Sequence, residues 1–563
     1  MATVSILAVT ALLARSATGI FYARHAALAD CGDLVVRSLP ADGGILLAGD
    51  AALLLAVKAS LAQHADGKKW QTVDVQQLPG AKYRAALEAK YPAGWHTNGA
   101  GDLTPGATLD LLNQIAHRRR LFYLLPEPGH FLFEGFYPQP EGAAHELKNY
   151  PGNTFAVPGL TAAQIAANEK FWDAAWEKNL LPVSRIAPAA AKTFPHRLAL
   201  APVPPDAARQ LGRWYSIALN NWGVELQRNG KLAAAGHRFE QAKLLNPENP
   251  APPVNLVGNS NLLAGKNLDL SGAAALAKSV SGVQQLARLV ESYGTFDEPS
   301  VCVLLGEACF NAGWPRQALQ QLDRARMLAP DSGVPELSMA KIYSRIGVED
   351  QVLELVKKLR RFETNSPAGR ALGLELSVLE AKAWLARTNA PEANRVLETV
   401  LQKNPNDPAV WETVFKAYLA FGSATNALGL LDRLLAKEPD NISALNNKAA
   451  VFVQLQRAAE AVPILNRAIA LTNLPAIRLN RAIALLQSQD LPAAETAYLE
   501  LQTNAVDQFS VKYGLAQIAE MRHDTNAAMK YYSICLTNAT TGSLKWLDAK
   551  ARLAALQKPA APR

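Results

Sequence analysis

Signatures of metal binding and of covalent cross-linking are missing from this sequence. It has only four cysteines in 563 residues, and no two of them have the spacing of metal ligands. Cys302 and Cys309 lie seven residues apart in a predicted helix. They therefore share a face but are separated by about 10 Å along the axis, which is too far for a disulfide bond. We expect buried free thiols and no metal site.

Catalytic motifs are absent as well. The chain has no Gly-x-Gly-x-x-Gly opening a helix after a strand and no phosphate-binding Gly-Lys-Ser/Thr loop. It also has no His-Glu-x-x-His and no Gly-x-Ser-x-Gly. We therefore predict no catalytic residues and no cofactor, and hence a protein that is not an enzyme.

Three polar residues near predicted strands leave a weaker enzymatic alternative open. Asp50 follows a predicted strand, where open α/β sheets often bind ligands, although we favour an N-cap of the next helix. His130 and Glu134 lie four residues apart near a predicted strand, which would put both side chains on one face. Such a pair can serve acid–base chemistry or hold a metal, but we favour a surface hydrogen-bonded pair.

Long apolar runs are scarce. Residues 3–13 are apolar, but a membrane span takes about 20 such residues, and a signal peptide would have basic residues before the run. For residues 1–22, a truncated or membrane-associated segment, a signal peptide and an ordinary helix all stay open. We expect membrane or cell-envelope association through this segment, with a cytoplasmic protein as the alternative.

The excess of positive charge is spread along the chain. The formal net charge is +8 and the sequence pI is about 9.1, yet residues 117–120 form the one tight basic run. That run lacks the interleaved aromatic residues on which single-strand binders stack bases, and it suits the end of a helix leading into a strand. We therefore predict no nucleic-acid partner.

Residues 23–155 alternate between strand-like and helix-like stretches, which predicts βαβ units on a mainly parallel sheet. Strands are predicted at residues 43–49, 70–75, 120–125 and 131–137, the last ended by Pro138 and Pro140. Residues 156–207 are predicted to form one helix and an Ala/Pro-rich connector.

Residues 208–557 repeat with a period of 34. Two series keep this spacing, one small and one aromatic: Ala393, Ala427 and Ala461, and Trp384, Tyr418 and Phe452. Small residues let paired helices approach closely, and an aromatic residue fills the space to the next pair. A unit of this size cannot bury its apolar face alone, so neighbouring units must stack.

This pattern, with a turn glycine and a closing proline, resembles the tetratricopeptide repeat. Repeats in this register begin at Ser216, Pro299, Gly333, Leu374, Pro408, Ile442, Pro475 and Gln508. The resemblance implies an all-α solenoid of helix hairpins, wound as a right-handed superhelix, so the predicted fold is an α/β N-terminal module followed by this solenoid. Residues 251–294 depart from the pattern and are interpreted as an enlarged, degenerate repeat, and residues 543–556 as a capping helix.

Members of this family bind peptides or proteins in a concave groove lined by the first helix of each hairpin. The groove positions predicted to bind a partner are Asn220, Asn221, Lys416, Asn446, Asn447, Asn480 and Lys512. An asparagine amide both donates and accepts, so it can pair with an extended backbone of any sequence. The alternative is that these asparagines only solvate a concave surface. We predict a non-enzymatic scaffold for protein–protein interaction.

A second resemblance covers residues 7–150. The segments 43–47, 131–138 and 145–147 are similar to the soluble tail that follows the last membrane helix in bacterial protein O-mannosyltransferase-like proteins. In that family the catalytic centre lies in the membrane spans, which this chain lacks. The resemblance therefore implies an accessory part without a catalytic centre, as an alternative to the scaffold.

Overall fold

The computed structural model describes residues 27–92, 95, 101–126, 129–152, 154–186, 206–270, 283–502 and 507–557. The apolar segment predicted at residues 1–22 and the connector at residues 187–205 lie outside these ranges. The chain divides into two compact units, one ending at Phe362 and the other beginning at Glu363. Each unit is described separately below.

A five-stranded mixed sheet opens the first unit. Its strands are β1 (Gly44–Ala48), β2 (Trp70–Asp74), β3 (Leu121–Leu124), β4 (Phe136–Glu141) and β5 (Ala144–Asn149). The spatial order is β2-β1-β3-β5-β4, with β1, β2 and β3 parallel, β5 antiparallel to β3, and β4 antiparallel to β5. The three parallel strands confirm the predicted βαβ arrangement, and the hairpin makes the sheet mixed.

Helices cover both faces of this sheet. They are α1 (Ala27–Ser38), α2 (Ala51–Leu61), α3 (Ala81–Lys90) and α4 (Pro105–Ala116). Leu46 and Phe122 point into a core shared with α1 and α2, whereas Leu47 and Tyr123 point into a core shared with α3 and α4. Adjacent strand residues thus enter opposite cores, and both faces of the central strands are buried, as is usual for parallel strands.

The strand predicted at residues 131–137 is wrong in its first half. Residues Phe131–Glu134 form a 3-10 turn, and β4 begins only at Phe136. It then runs through Pro138 and Pro140, which were predicted to end it. Because β4 pairs with β5 alone, it is an edge strand, where a missing N–H need not cost a ladder hydrogen bond.

One helix links the sheet to the hairpins, as predicted. It comprises α5 (Ala162–Ala175), a π-helical turn (Trp176–Leu180) and α6 (Leu181–Ile186). Thr161 starts α5 with a capping box, in which its hydroxyl accepts from the Gln164 N–H and the Gln164 side chain accepts from the Thr161 N–H. Trp172 joins the core beneath α1 and α2.

Helix hairpins make up the rest of the first unit. Their helices are α7 (Asp206–Arg228), α8 (Leu232–Leu245), α9 (Ala251–Leu263), α10 (Val283–Tyr293), α11 (Pro299–Asn311), α12 (Pro315–Leu328), α13 (Val334–Ile346) and α14 (Glu349–Leu359). Small residues bring the paired helices together as predicted: a Cβ added at Gly223 would lie 2.5 Å from the Phe239 ring. Hairpin α7–α8 therefore depends on a glycine at that position.

The second unit consists of hairpins as well. Its helices are α15 (Pro367–Ala386), α16 (Ala390–Lys403), α17 (Pro408–Ala420), α18 (Ala424–Lys437), α19 (Ile442–Gln454), α20 (Ala458–Leu471), α21 (Pro475–Gln487), α22 (Leu491–Leu501), α23 (Gln508–Met521), α24 (Thr525–Asn538) and α25 (Leu544–Gln557). A left-handed residue lies between the helices of each hairpin at a spacing of 33 or 34: Thr388, Gly422, Gln456, Gln489 and His523. The predicted turn geometry persists where glycine is replaced.

Two further properties concern the whole described chain. All four cysteines are buried and free, as predicted from their spacing. Within the described ranges, no helix combines the length and the apolar character that crossing a membrane requires.

Candidate peptide-binding site

Asp50 is an N-cap, as favoured from the sequence. Its carboxylate accepts hydrogen bonds from the backbone N–H groups of Ala52 and Leu53 at the start of α2. The other carboxylate oxygen accepts from the indole N–H of Trp214, on α7, at 2.7 Å. The edge at which open α/β sheets often bind ligands is thus, in this chain, the place where the first hairpin docks.

His130 and Glu134 do not form the predicted surface pair. Because residues 131–134 are a 3-10 turn, the argument that both side chains share a strand face does not apply. Glu134 instead accepts from the backbone N–H groups of Arg316 and Gln317 at the start of α12. His130 caps the turn, and burial lowers its pKa to about 4, so the ring is neutral near pH 7. Both residues serve the contact between the sheet and the hairpins.

A pocket of about 110 Å³ lies between the sheet and α7 and α12. His145, Tyr150, Arg228 and Gln321 are among the residues that line it. The His145 Nδ1 atom is buried without a hydrogen-bond partner among the described residues, and burial lowers the pKa of this histidine to about 4. His145 is therefore a neutral ring at neutral pH.

The strongest binding geometry in the first unit involves three asparagines of the first helices. We call Asn220 and Asn221 on α7 and Asn255 on α9 the closed clamp. All three are buried, and they hold the chain's own residues 293–298, which we call the clamped segment. Thr295 donates its N–H to Asn221 Oδ1 at 2.9 Å, and its carbonyl accepts from Asn220 Nδ2 at 2.8 Å.

Asn255 completes the closed clamp. Its Oδ1 accepts from the N–H of Asp297 at 2.8 Å, and its Nδ2 donates to both the Thr295 carbonyl and Asn220 Oδ1 at 2.9 Å. Asparagine amides thus make hydrogen bonds to both backbone groups of Thr295 and to the N–H of Asp297. No contact of the closed clamp depends on the side chain of Thr295.

One side chain of the clamped segment, that of Asp297, also forms hydrogen bonds with residues around the closed clamp. The Asp297 carboxylate accepts from Gln227 Nε2 at 2.7 Å and from Arg324 Nε at 2.8 Å. Burial would raise the pKa of Asp297, but the charges of Arg324 and Arg228 and the hydrogen bonds from Arg324 and Gln227 together outweigh it and hold this pKa below its usual range. Asn259 orients Gln227 by donating to its Oε1 at 2.8 Å.

The prediction for Asn220 and Asn221 therefore needs a correction. Their amides do pair with a non-helical backbone segment, but this backbone is the chain's own, and Asn220 is fully buried. Residues Asn255, Asn259 and Gln227 were missed. A signal existed: Asn255 lies 35 residues after Asn220, but the departure of residues 251–294 from the pattern hid this register.

A matching set of asparagines lies in the second unit. We call Asn446 and Asn447 on α19 and Asn480 on α21 the open triad. Asn480 Nδ2 donates to Asn446 Oδ1 at 2.8 Å, which is the same bond that Asn255 makes to Asn220. All three are only partly buried, and Asn447 makes no side-chain hydrogen bond within the described part of the chain.

The two sets occupy the same positions in their hairpins. Asn220 and Asn446 each lie eight residues before the end of their helix, and twelve residues before the start of the next helix. The asparagine of the following first helix comes 35 residues later in one case and 34 in the other. The open triad therefore presents the atoms that the closed clamp uses, Asn446 Nδ2, Asn447 Oδ1 and Asn480 Oδ1.

The two predicted lysines lie on the first helices of the hairpins before and after those that carry the open triad. Lys416, on α17, is exposed and pairs with Glu412 one turn earlier at 2.6 Å. Lys512, on α23, lies over the Tyr531 ring at 6.0 Å from its centroid. Neither lysine contacts the open triad through a side-chain bond in the described structure, so the asparagines alone define the site.

Comparison with known proteins supports the repeat interpretation. The sequence model of the tetratricopeptide repeat family matches residues 384–451, and no curated protein matches the chain. Among solved structures, a tetratricopeptide repeat protein of Thermus thermophilus is 20% identical over 33% of this chain and 98% of its own, with a TM-score of 0.26. PilF of Pseudomonas aeruginosa is 14% identical over 40% of this chain and 98% of its own, with a TM-score of 0.25.

A third solved structure, MamA of Desulfovibrio magneticus RS-1, is 18% identical over 30% of this chain and 94% of its own, with a TM-score of 0.25. The family match lies within the second unit and includes Asn446 and Asn447 of the open triad. The chain therefore combines an N-terminal mixed sheet with helix hairpins of the tetratricopeptide repeat type, a fold typical of scaffolds for protein–protein interaction.

Proposed function

We propose that the second unit binds an extended segment of a partner polypeptide through Asn446, Asn447 and Asn480. The observation that carries this proposal is the match between the open triad and the closed clamp. Two asparagines occupy the same positions of the first helix in both sets, the third lies within one residue of the same position on the next first helix, and the same inter-asparagine bond joins the two helices. One of the two sets already holds a backbone segment outside any helix or strand.

The chemistry of the open triad suits this ligand. Asn446 Nδ2 would donate to a backbone carbonyl, while Asn447 Oδ1 and Asn480 Oδ1 would accept from two backbone N–H groups two residues apart. A strand-like segment presents its donors and acceptors at this repeat. Because the contacts are to backbone atoms, the triad itself would tolerate many sequences, as a scaffold for protein partners requires.

The bond between the two asparagines also prepares the site. It fixes the orientation of both amides before a ligand arrives, so less side-chain entropy is lost on binding. It uses one donor of Asn480 and one acceptor site of Asn446, and leaves the Asn446 Nδ2 and Asn480 Oδ1 atoms directed to a ligand. This arrangement favours a peptide over a small molecule that cannot reach all three amides.

The test begins with a random peptide library selected on the full-length protein. The affinity of a selected peptide is then measured for the wild type and for the Asn447→Ala/Asn480→Ala double variant. We expect the double variant to bind more weakly by about 1–3 kcal/mol, because backbone groups of the peptide lose their partners. Equal affinity for both proteins would contradict the proposal.

A matched control exists on the second helices of the same unit. Asn426 Nδ2, on α18, donates to Asn394 Oδ1, on α16, at 3.0 Å, and both side chains are partly buried. The Asn394→Ala/Asn426→Ala variant therefore removes an equivalent amide pair away from the first helices. Peptide affinity should not change in this variant.

The alternative drawn from the sequence is an accessory part of a protein O-mannosyltransferase-like membrane protein, attached through residues 1–22. It stays a prediction, since those residues lie outside the described ranges. The proposal for the open triad does not depend on it.

A further inference from the structure

The closed clamp and the open triad differ in the residues that surround a side chain of the bound backbone. In the closed clamp the residue two positions after Thr295 is Asp297, whose carboxylate is completely buried. It is held by Gln227 and by the guanidinium groups of Arg324 and Arg228. An acidic residue is stable there only because these groups supply donors and positive charge.

Gln227 and Arg228 are set by their place on α7. Gln227 follows Asn220 by seven residues, and Arg228 follows Asn221 by seven, so each lies about two turns further along the same side of the helix as its asparagine. The same positions on α19, counted from Asn446 and Asn447, are Val453 and Gln454. The amide donor is replaced by a partly buried valine, and the guanidinium by an exposed, uncharged glutamine.

The helix of the following hairpin shows a parallel change. Asn259, which orients Gln227, lies four residues after Asn255, and the position four residues after Asn480 is Ala484. Beside it, Ile483 replaces Gly258 and is partly buried. Of the polar positions that surround the carboxylate in the first unit, those of Gln227 and Asn259 are therefore apolar in the second, and that of Arg228 carries an uncharged glutamine.

We infer that the open triad selects an extended segment with an apolar residue, and not an acidic one, two positions after the residue whose backbone it anchors. This inference rests on the proposed function. A carboxylate placed between Val453 and Ile483 would lose water without gaining a hydrogen bond, which is costly. A valine or leucine at that position would gain apolar contact.

Lys512 is a further source of positive charge among the candidate residues. It lies on α23, one hairpin beyond Asn480, and over the Tyr531 ring. A long lysine side chain can reorient at little cost, so its ability to attract an acidic peptide has to be tested directly.

The experiment uses two labelled peptides and the full-length protein. One peptide copies the clamped segment, Tyr-Gly-Thr-Phe-Asp-Glu, and the other carries valine in place of the aspartate. Fluorescence anisotropy gives both affinities. We expect the wild type to bind the valine peptide at least about fivefold more tightly than the aspartate peptide. The Asn446→Ala/Asn480→Ala variant should have a lower affinity for both peptides.

A second pair of variants tests the residues responsible. Gln454→Arg changes an exposed side chain and should narrow the preference for valine. Val453→Gln combined with Gln454→Arg introduces the residues that the first unit has at these two positions and should reverse the preference. Thermal unfolding of each variant shows whether the fold is kept, and the single exposed change provides an answer even if the double variant unfolds.

The outcomes separate this inference from the proposed function. Binding of neither peptide to the wild type would overturn both. Binding of both with equal affinity, or with preference for the acidic peptide, would overturn the inference and leave the proposed function intact. An acidic preference that disappears in Lys512→Gln would assign the selectivity to Lys512 and overturn the inference as well.

Discussion

Side-chain amides in the first unit replace the hydrogen bonds that a strand would obtain from a sheet. The clamped segment is buried, and burial of an unpaired backbone group costs about 1–3 kcal/mol. The Thr295 carbonyl accepts from Asn220, the Thr295 N–H donates to Asn221, and the Asp297 N–H donates to Asn255. Three residues thus allow an irregular segment to lie inside a helical array.

Gly294 should be intolerant of any side chain. Its φ is +87°, and an added Cβ would lie 2.9 Å from Asn221 Oδ1 and 3.2 Å from Asn220 Nδ2. Gly294→Ala therefore combines a left-handed backbone, which costs roughly 1–2 kcal/mol, with displacement of the closed clamp. We expect a loss of unfolding free energy of at least about 3 kcal/mol, measured by urea denaturation.

Gly313→Ala is the control for this change. Gly313 has a similar φ of +84°, but an added Cβ would meet nothing within 4 Å. This variant should lose only the cost of the backbone conformation, about 1–2 kcal/mol. Equal losses in the two variants would show that contact with the asparagines does not matter.

Two buried histidines make the first unit sensitive to acid. Burial lowers the pKa of His130 and of His145 from 6.5 to about 4. Between these values the unfolded chain binds protons that the folded chain does not, so stability is complete above about pH 6.5 and falls as the pH decreases toward 4. From pH 7 to 5 we expect a loss of about 1–2 kcal/mol per histidine.

The variants His130→Asn and His145→Asn provide the measurement. Asparagine keeps an acceptor for capping at position 130 and does not titrate. The urea midpoint of the double variant should decrease less than that of the wild type between pH 7 and pH 5. An identical decrease would assign the acid sensitivity to other groups.

At the residue scale, the sequence predicted the chemistry of the asparagines better than the identity of their ligand. An amide pattern at the period of the hairpins indicates backbone recognition. It does not indicate that residues 293–298 return to the groove, because this depends on how the irregular residues 251–294 fold. The separation of Asn221 from Asn447 along the chain reflects two sets of asparagines, one of which the chain itself occupies.

At the scale of single elements, a polar contact at the start of α12 joins this helix to the turn at residues 131–134. The N-cap residue of α12, Trp314, offers no side-chain hydrogen bond to the helix. The carboxylate of Glu134 supplies it from the sheet side, and Arg316 returns a bond from its guanidinium to the Glu134 carbonyl at 2.6 Å. A negative charge at this end also interacts favourably with the helix dipole.

Loss of the Glu134 carboxylate should loosen this contact. We expect Glu134→Ala to lower the unfolding free energy by about 1–2 kcal/mol, as for other lost N-caps. Hydrogen exchange of the Arg316 and Gln317 amides should become faster. Glu134→Gln keeps one acceptor oxygen without the charge, so its effect should be smaller. Unchanged exchange in Glu134→Ala would contradict this role.

Regular elements were the part of the fold that the sequence predicted best. Helix periodicity and the apolar runs of β1, β2 and β3 are local signals, and each of these elements was found close to its predicted position. The β4–β5 hairpin was not, because Pro138 and Pro140 are tolerated only on an edge strand, and edge position depends on the sheet order. The turn at residues 131–134 was missed because its apolar residues resemble a strand.

At the scale of the whole molecule, the division between Phe362 and Glu363 falls inside the predicted array. The repeats that begin at Gly333 and Leu374 are 41 residues apart, seven more than the period. The additional residues form the 3-10 turn Arg360–Phe362, the following loop and the first turns of the long helix α15. The longer repeat spacing indicates this irregularity in the sequence, but only the contacts in the structure identify it as the boundary between the two units.

Two compact units should unfold in two transitions. Phe239→Ala in the first unit and Leu465→Ala in the second each remove a completely buried side chain, at a cost of about 2–5 kcal/mol. In differential scanning calorimetry each variant should lower the midpoint of a different transition. A single transition shifted by both variants would show that the units unfold together.

The closed clamp has a consequence for competition. Its ligand is part of the same chain, so its effective concentration is on the order of millimolar or higher. A free peptide of equal intrinsic affinity at about 1 µM would therefore displace the clamped segment in roughly one molecule in a thousand. The asparagines of the first unit are thus protected from the peptides of the surrounding solution, and occupancy by foreign chains is left to the second unit.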